Sequence, residues 1–215
     1  MRLHSIQIGT PRTVGTPDAP DRMQREFTSA IWKEPVAGPV WVGNLGLRGD
    51  QVADTRAHGG PDQAVLMYAI THYLAWRAEW GREDVGPGAF GENLTVEGLT
   101  EEKACLGDVY LIGGARLEVT KPREPCATLA RRHQVPDMIA IVQANGRSGW
   151  YLRVLEEGEI EAGQAIALAG RPHPEWPVRE VALAMRERKS DPERASRLAR
   201  VPALAANWRL RILGY

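Results

Sequence analysis

Cysteine is nearly absent from this sequence, with only Cys105 and Cys126 in 215 residues. Two thiols cannot build the framework that holds small secreted domains together. They do not form a C-x-x-C pair either, which excludes zinc-ribbon and thioredoxin-like readings. An excess of one charge is lacking too: 27 Lys+Arg face 27 Asp+Glu. That balance excludes nucleic-acid binding driven by bulk charge, though not local basic clusters. No stretch approaches the roughly 20 apolar residues of a membrane span. The N-terminal MRLHSIQIGTPR lacks the apolar run of a signal peptide. The expectation is a cytoplasmic protein that engages neither nucleic acid nor membrane.

What the sequence has in quantity is glycine and proline, 22 and 15 residues, punctuating residues 1–175. Short β-rich runs lie between them: LHSIQI, PVWVGNLGL, AVLMYAI, ENLTV, DVYLIG, ARLEVTK, GWYLRVLEEG and EIEAGQAIAL. So many short strands predict a mainly β fold with some α, a closed or nearly closed β-barrel rather than a layered βαβ sheet. Three helices are expected within it. Thr71 to Trp80 sets Tyr73, Trp76 and Trp80 at helical spacing, as core packing, and stops at Gly81. Pro125 to His133 opens on proline with Cys126 in its first turn. Asp137 to Asn145 has an aspartate suited to capping. Near RPHPEWPV the composition changes, giving an expected barrel domain over residues 1–172 and a three-helix extension over 173–215, with Asp191-Pro192 and Pro202 opening the later helices. The basic residues of that extension (Arg186, Arg188, Lys189, Arg194, Arg197, Arg200) read as a solvated face.

Reactive potential concentrates in EVTKPREPCATLARRH. There Cys126 sits at a helix start beside Lys121 and Arg123, and both settings favour a thiolate, the form a nucleophile or soft metal ligand must take. Cys105 has Glu101, Glu102 and Asp108 as neighbours, which disfavours a thiolate, so a packing role is expected. In GLRGDQVADTRAHGGPDQAV, the turn His58-Gly59-Gly60-Pro61 lets backbone amides approach an anion, with Arg48, Arg56 and His58 as further donors. By itself such a turn is equally a strand entry. GPGAFGENLTV, with Asn93, offers a pocket wall or a long connection. QANGRSGWYLRV presents Asn145 and Arg147, the latter suited to a bidentate phosphate contact or to solvent.

Five strings in order, GLRGDQVADTRAHGGPDQAV, GAFGENLTVEGLTEE, CLGDVY, EVTKPREPC and GWYLRVLEEG, make the chain resemble the MOSC domain proteins, specifically the bacterial hydroxylaminopurine-resistance type with a C-terminal three-helix extension. The resemblance implies a β-barrel, a molybdenum cofactor of molybdopterin type, and reduction of N-hydroxylated bases and related hydroxylamines to amines. It also implies that Cys126 ligates the metal. Arg56, His58, Gly59, Gly60, Gln63, Asn93, Arg123, Asn145 and Arg147 become candidates for cofactor binding, and Cys126, His58 and Asp62 for catalysis. The sequence does not choose between His58 and Asp62 as proton donor. Gln63 departs from the family, where many relatives carry lysine, and keeps hydrogen bonding without charge. No flavin, haem or iron–sulfur motif is present, so electrons are expected from an external flavin or iron–sulfur reductase. A carrier that binds the cofactor without turnover is the alternative, and a cysteine hydrolase using Cys126 with His58 or His133 is a third reading. Seven tryptophans and the appended helices are compatible with a homodimer.

Overall fold

Val65–Ala69, the most apolar strand in the chain, has all five residues buried, as a strand flanked on both sides and covered on both faces requires. It is β7 in a computed structural model that describes residues 1–56 and 58–215. Before it come β1 (Arg2–Ile8), β2 (Arg12–Val14), β3 (Phe27–Ser29), β4 (Glu34–Pro35), β5 (Val40–Gly43) and β6 (Gly46–Leu47). After it come α1 (Thr71–Trp80), β8 (Leu94–Glu97), β9 (Val109–Ile112), β10 (Ala115–Pro122), α2 (Ala127–His133) and α3 (Met138–Asn145). The chain continues through β11 (Trp150–Glu156), β12 (Gly158–Ile160), β13 (Ile166–Gly170), α4 (Val178–Arg186), α5 (Pro192–Ala199) and α6 (Ala206–Leu213).

Eight strands pair in the order β13-β9-β10-β11-β7-β8-β1-β4. The β7–β8 pair is parallel, because the chain crosses back through α1 instead of turning tightly. The fold is thus a mixed α/β arrangement around a large sheet. Of the closed or nearly closed barrel expected from the sequence, a fully closed ladder is not found among the described residues. The ladder ends at β13 and β4, and its flanks meet where the start of β1 joins the approach to β13, through the Arg2–Ala165 bridge and the bonds Leu3 N to Gln164 O, Gly163 N to Leu3 O and Ile166 N to Met1 O. The far end of β1 is taken up by β4, through Gln7–Pro35 and Ile8–Glu34, instead of continuing that contact. The short strands β2, β3 and β4 were outside the sequence expectation. They carry little buried apolar surface, so no alternation marks them.

One apolar cluster fills the sheet interior and includes Leu3, Val65, Met67, Leu117 and Trp150. A second packs α1, α2 and α3 around Tyr68, Trp76 and Phe90. There Trp76 Nε1 donates to Tyr68 Oη at 2.7 Å, so the indole is buried with its polar atom satisfied. The third joins the C-terminal helices through Val181, Leu198 and Trp208. As expected, α1 ends at Gly81, whose φ of 61° is cheap only for glycine. Asp191 caps α5 by accepting from Arg194 N at 2.9 Å. Three local expectations are corrected. Cys126 is not in the first turn of α2 but is its extended N-cap (φ −124°, ψ 166°), since it contributes only its carbonyl to the helix. Asp137 stands at the N-cap of α3 but makes no side-chain capping bond. Pro202 does not open the last helix, which begins at Ala206 after a turn.

Candidate functional site

The strand β10 runs unbroken to Pro122, and the Arg123 amide extends its ladder by donating to Gly149 O at 2.9 Å. The chain then turns through Glu124 and Pro125 and delivers Cys126 half-buried to the wall of a cavity of about 260 Å3. His58, Gly59, Gln63, Asn93 and Arg123 line the same cavity. So do Arg131 from α2, Phe27 from β3 and Tyr151 from β11, none of which sequence reasoning selected. Six candidates from three separate strings therefore share one space.

Arg123 is the most informative of them. It is 5% exposed, and its Nη1 is buried without a hydrogen-bond partner among the described residues. A buried guanidinium without an acceptor is costly, and sites of this kind are built for an anion. Arg131 repeats the theme: its guanidinium lies 3.8 Å from the Phe27 ring centroid, while Nε and Nη2 are buried without a hydrogen-bond partner among the described residues. Its face is thus stacked on an aromatic ring.

Burial, followed by the charge of Arg123, holds the His58 imidazole below its ordinary range; Asp54 opposes this and Lys121 adds to it. His58 is therefore neutral at pH 7 and carries one donor and one acceptor nitrogen. His133 belongs elsewhere. It sits in the helical cluster with its Nε2 2.8 Å from Ala89 O, its pKa pushed down to about 4 mainly by burial, and it does not line the cavity. That removes one of the two alternative bases, His58 or His133, that a cysteine-hydrolase reading could use.

The remaining candidates are held by other work. Asn93 lines the cavity, yet its amide is engaged: Nδ2 donates to Asp50 at 2.8 Å and Oδ1 accepts from Leu66 N at 3.1 Å. Asp50 in turn holds Lys33. Asp62 faces away, pairing with Arg153 at 2.8 Å and accepting from Ala206 N at 2.7 Å. Arg56 is exposed and 3.5 Å from Asp54. Arg147 pairs with Glu79 at 2.7 Å and lies 4.9 Å over Trp76, and Asn145 caps the Arg147 amide at 3.0 Å. Gly60 (φ 83°) starts the short 3₁₀ turn Pro61–Gln63 and is outside the lining. Cys105 is buried, its thiol 3.8 Å from Pro174 O and raised in pKa first by burial and then by Asp108.

The glycine segment that brings Phe90 and Gly91 to the cavity is fixed by Glu92. Its buried carboxylate accepts from Gly88 N at 2.7 Å, Thr95 Oγ1 at 2.9 Å, Phe90 N at 3.2 Å and the Tyr73 hydroxyl. A side chain at Gly88 would meet Lys33 O at 2.4 Å, so the chain tolerates only glycine there.

A cofactor of molybdopterin type presents a soft metal and an anionic phosphate. The cavity offers one thiol and two guanidinium edges without acceptors, a donor set that fits both. Among the described residues no three His, Cys, Asp or Glu side chains gather as a metal cage, and no helix is long and apolar enough to cross a membrane.

The model of the MOSC domain matches residues 54–167, a span that includes the cavity's His58, Arg123 and Cys126. Protein YiiM of Escherichia coli is 35% identical over 183 residues, 84% of this chain and 81% of that protein. The uncharacterized protein YflK of Bacillus subtilis is 39% identical over 167 residues, 78% and 72% of the two chains. A protein of Gibberella moniliformis named "Reductase" is 42% identical over 168 residues, which are 76% of this chain but 29% of that one. Among solved structures, YiiM from Geobacillus stearothermophilus superposes with a TM-score of 0.81 at 35% identity, covering 99% of this chain and 97% of the other.

Proposed function

The chain belongs to the MOSC domain family, and from that premise we propose that it is a molybdenum-cofactor-dependent reductase of N-hydroxylated bases and related hydroxylamines. The observation that carries the reading is the meeting, in a single cavity, of one half-buried thiol with two arginines whose buried nitrogens lack a full set of partners among the described residues. The reductase-named relative supports the reaction class. The bound cofactor supplies the redox chemistry. In the net reaction the N–O bond breaks, two electrons and two protons are consumed, and the amine and one water leave. The electrons come from an external flavin or iron–sulfur reductase.

The protein's own residues bind, orient and move protons. Cys126 as thiolate is the metal ligand, and Arg123 and Arg131 hold anionic groups through charge-assisted bonds. The Phe27 ring, backed by Arg131, forms a flat wall for a planar base. His58 takes the proton-donor role, since it lines the cavity whereas Asp62 is committed to Arg153 and Ala206.

The test compares Cys126→Ser and Cys105→Ser with the parent protein, each checked for folding by circular dichroism. Serine is a hard, poorly ionised ligand of similar size. Cys126→Ser should lose molybdenum and reduction of a hydroxylated base with an artificial electron donor, while Cys105→Ser keeps both. Full activity in folded Cys126→Ser refutes the assignment. A cofactor carrier would retain molybdenum yet show no turnover.

A further inference from the structure

Arg123 lines a second cavity as well, of about 310 Å3, on the other flank of the Pro122–Pro125 turn and beneath α3, α4 and α6. The reading of the basic C-terminal residues as a solvated face is incomplete here, because Arg186 and Arg188 line this space. Neither has a carboxylate partner among the described residues. Arg186 donates to Gln143 O at 2.9 Å and Arg188 to Met185 O at 3.0 Å. Two further arginines at the rim are neutralised, Arg179 by Glu102 at 2.9 Å and Arg211 by Glu124 at 2.8 Å. The excess charge is therefore carried by Arg123, Arg186 and Arg188, and the first of these is 5% exposed with an unpartnered Nη1. Buried Val142 and Met185, with Leu183, supply an apolar wall to the same cavity.

We propose that this second cavity is a binding site for a phosphomonoester, separate from the thiol cavity and joined to it only through Arg123. Three arginines without carboxylate partners among the described residues line a space large enough for a small organic molecule. A tetrahedral dianion accepts several charge-assisted bonds at once, which water or a halide cannot match. The apolar wall calls for an organic body on the phosphate, so a nucleoside monophosphate suits the site better than inorganic phosphate. Sharing of Arg123 makes occupancy here sensitive to what fills the thiol cavity.

The experiment is isothermal titration of the purified full chain with adenosine monophosphate, inorganic phosphate and adenosine, at low and at physiological ionic strength. Adenosine monophosphate should bind at one site per chain and more tightly than inorganic phosphate, with no binding of adenosine. The Arg186→Ala/Arg188→Ala variant, which removes two guanidinium groups, should weaken it by at least the roughly tenfold that the loss of a single charge-assisted bond brings. Ala182→Trp, which narrows the cavity and leaves every charge in place, should weaken it too. Arg131→Ala, which alters only the thiol cavity, should leave it unchanged. Absence of binding by both phosphates overturns the proposal. So does an affinity untouched by the double variant, or one abolished by Arg131→Ala, which would put the ligand beside the thiol.

Discussion

Arg123→Met should stabilise the cofactor-free protein while weakening its hold on the cofactor. Methionine keeps most of the apolar stem and removes a guanidinium whose Nη1 is buried without a partner. An unsatisfied buried donor costs roughly 1–3 kcal/mol, more when charged, and replacing it with an apolar group of similar shape recovers that penalty. For a chain of this size, about 2–4 °C accompanies each kcal/mol, so melting should rise by roughly 2–12 °C. The same substitution removes charge-assisted bonds to an anionic ligand, worth about 1.5–3 kcal/mol, and should weaken retention roughly 10- to 150-fold. Scanning calorimetry of protein made without cofactor gives the first quantity, and molybdenum content after dilution and gel filtration gives the second. A lower melting temperature with unchanged retention would refute the argument, because it would mean that Arg123 is satisfied within the fold.

Asp62→Ala should cost about 1–2 kcal/mol in a denaturant titration, through loss of the Arg153 pair and the bond to Ala206 N, with reductase kcat unchanged; a collapse of kcat in folded protein would return Asp62 to the reaction. Arg147→Ala should lower stability by about 1 kcal/mol through Glu79 and Trp76 and spare molybdenum retention. Lys121 is 3% exposed, with Nζ 5.5 Å from the Tyr151 ring and 5.9 Å from the Trp208 ring. Burial above all lowers its pKa from 10.5 to about 8. Between those values the unfolded chain holds the proton and the folded chain does not, so stability attributable to Lys121 rises from pH 8 to 10.5, by roughly 3 kcal/mol at most. Chemical denaturation of Lys121→Met across that range should lack the rise.

The sequence made the sheet strands legible wherever an apolar run meets glycine or proline, and α1 to the residue, because Gly81 is a local stop signal. It did not make β2 to β4 legible, since their pairing is decided by distant backbone and their side chains are largely exposed. At the site, the turn glycines, His58 and Cys126 were readable from local chemistry. Arg131 was not, because its meaning depends on Phe27, more than a hundred positions earlier, and on the absence of an acceptor. Asp62 shows the converse error: beside His58 in sequence it invites a catalytic role, yet its partner amide lies 144 positions away. Arg186 and Arg188 looked like ordinary surface charge until α3 and the Pro122–Pro125 turn closed a space around them.

Glu124, two residues before the thiol, accepts from Trp208 Nε1 at 3.0 Å and from Arg211 at 2.8 Å, partners 84 and 87 positions later in the chain. During synthesis from the N-terminus, the turn that carries Cys126 is therefore complete long before the groups that pin it emerge. Contacts of such sequence separation form late. The cysteine thus passes through a period when the sheet is built but its own turn is free, open to oxidants and stray metals in a way the finished protein is not. Loading with cofactor belongs after α6 has docked, and a ribosome-bound chain stalled before Trp208 should present Cys126 to a thiol-modifying reagent faster than the released protein does.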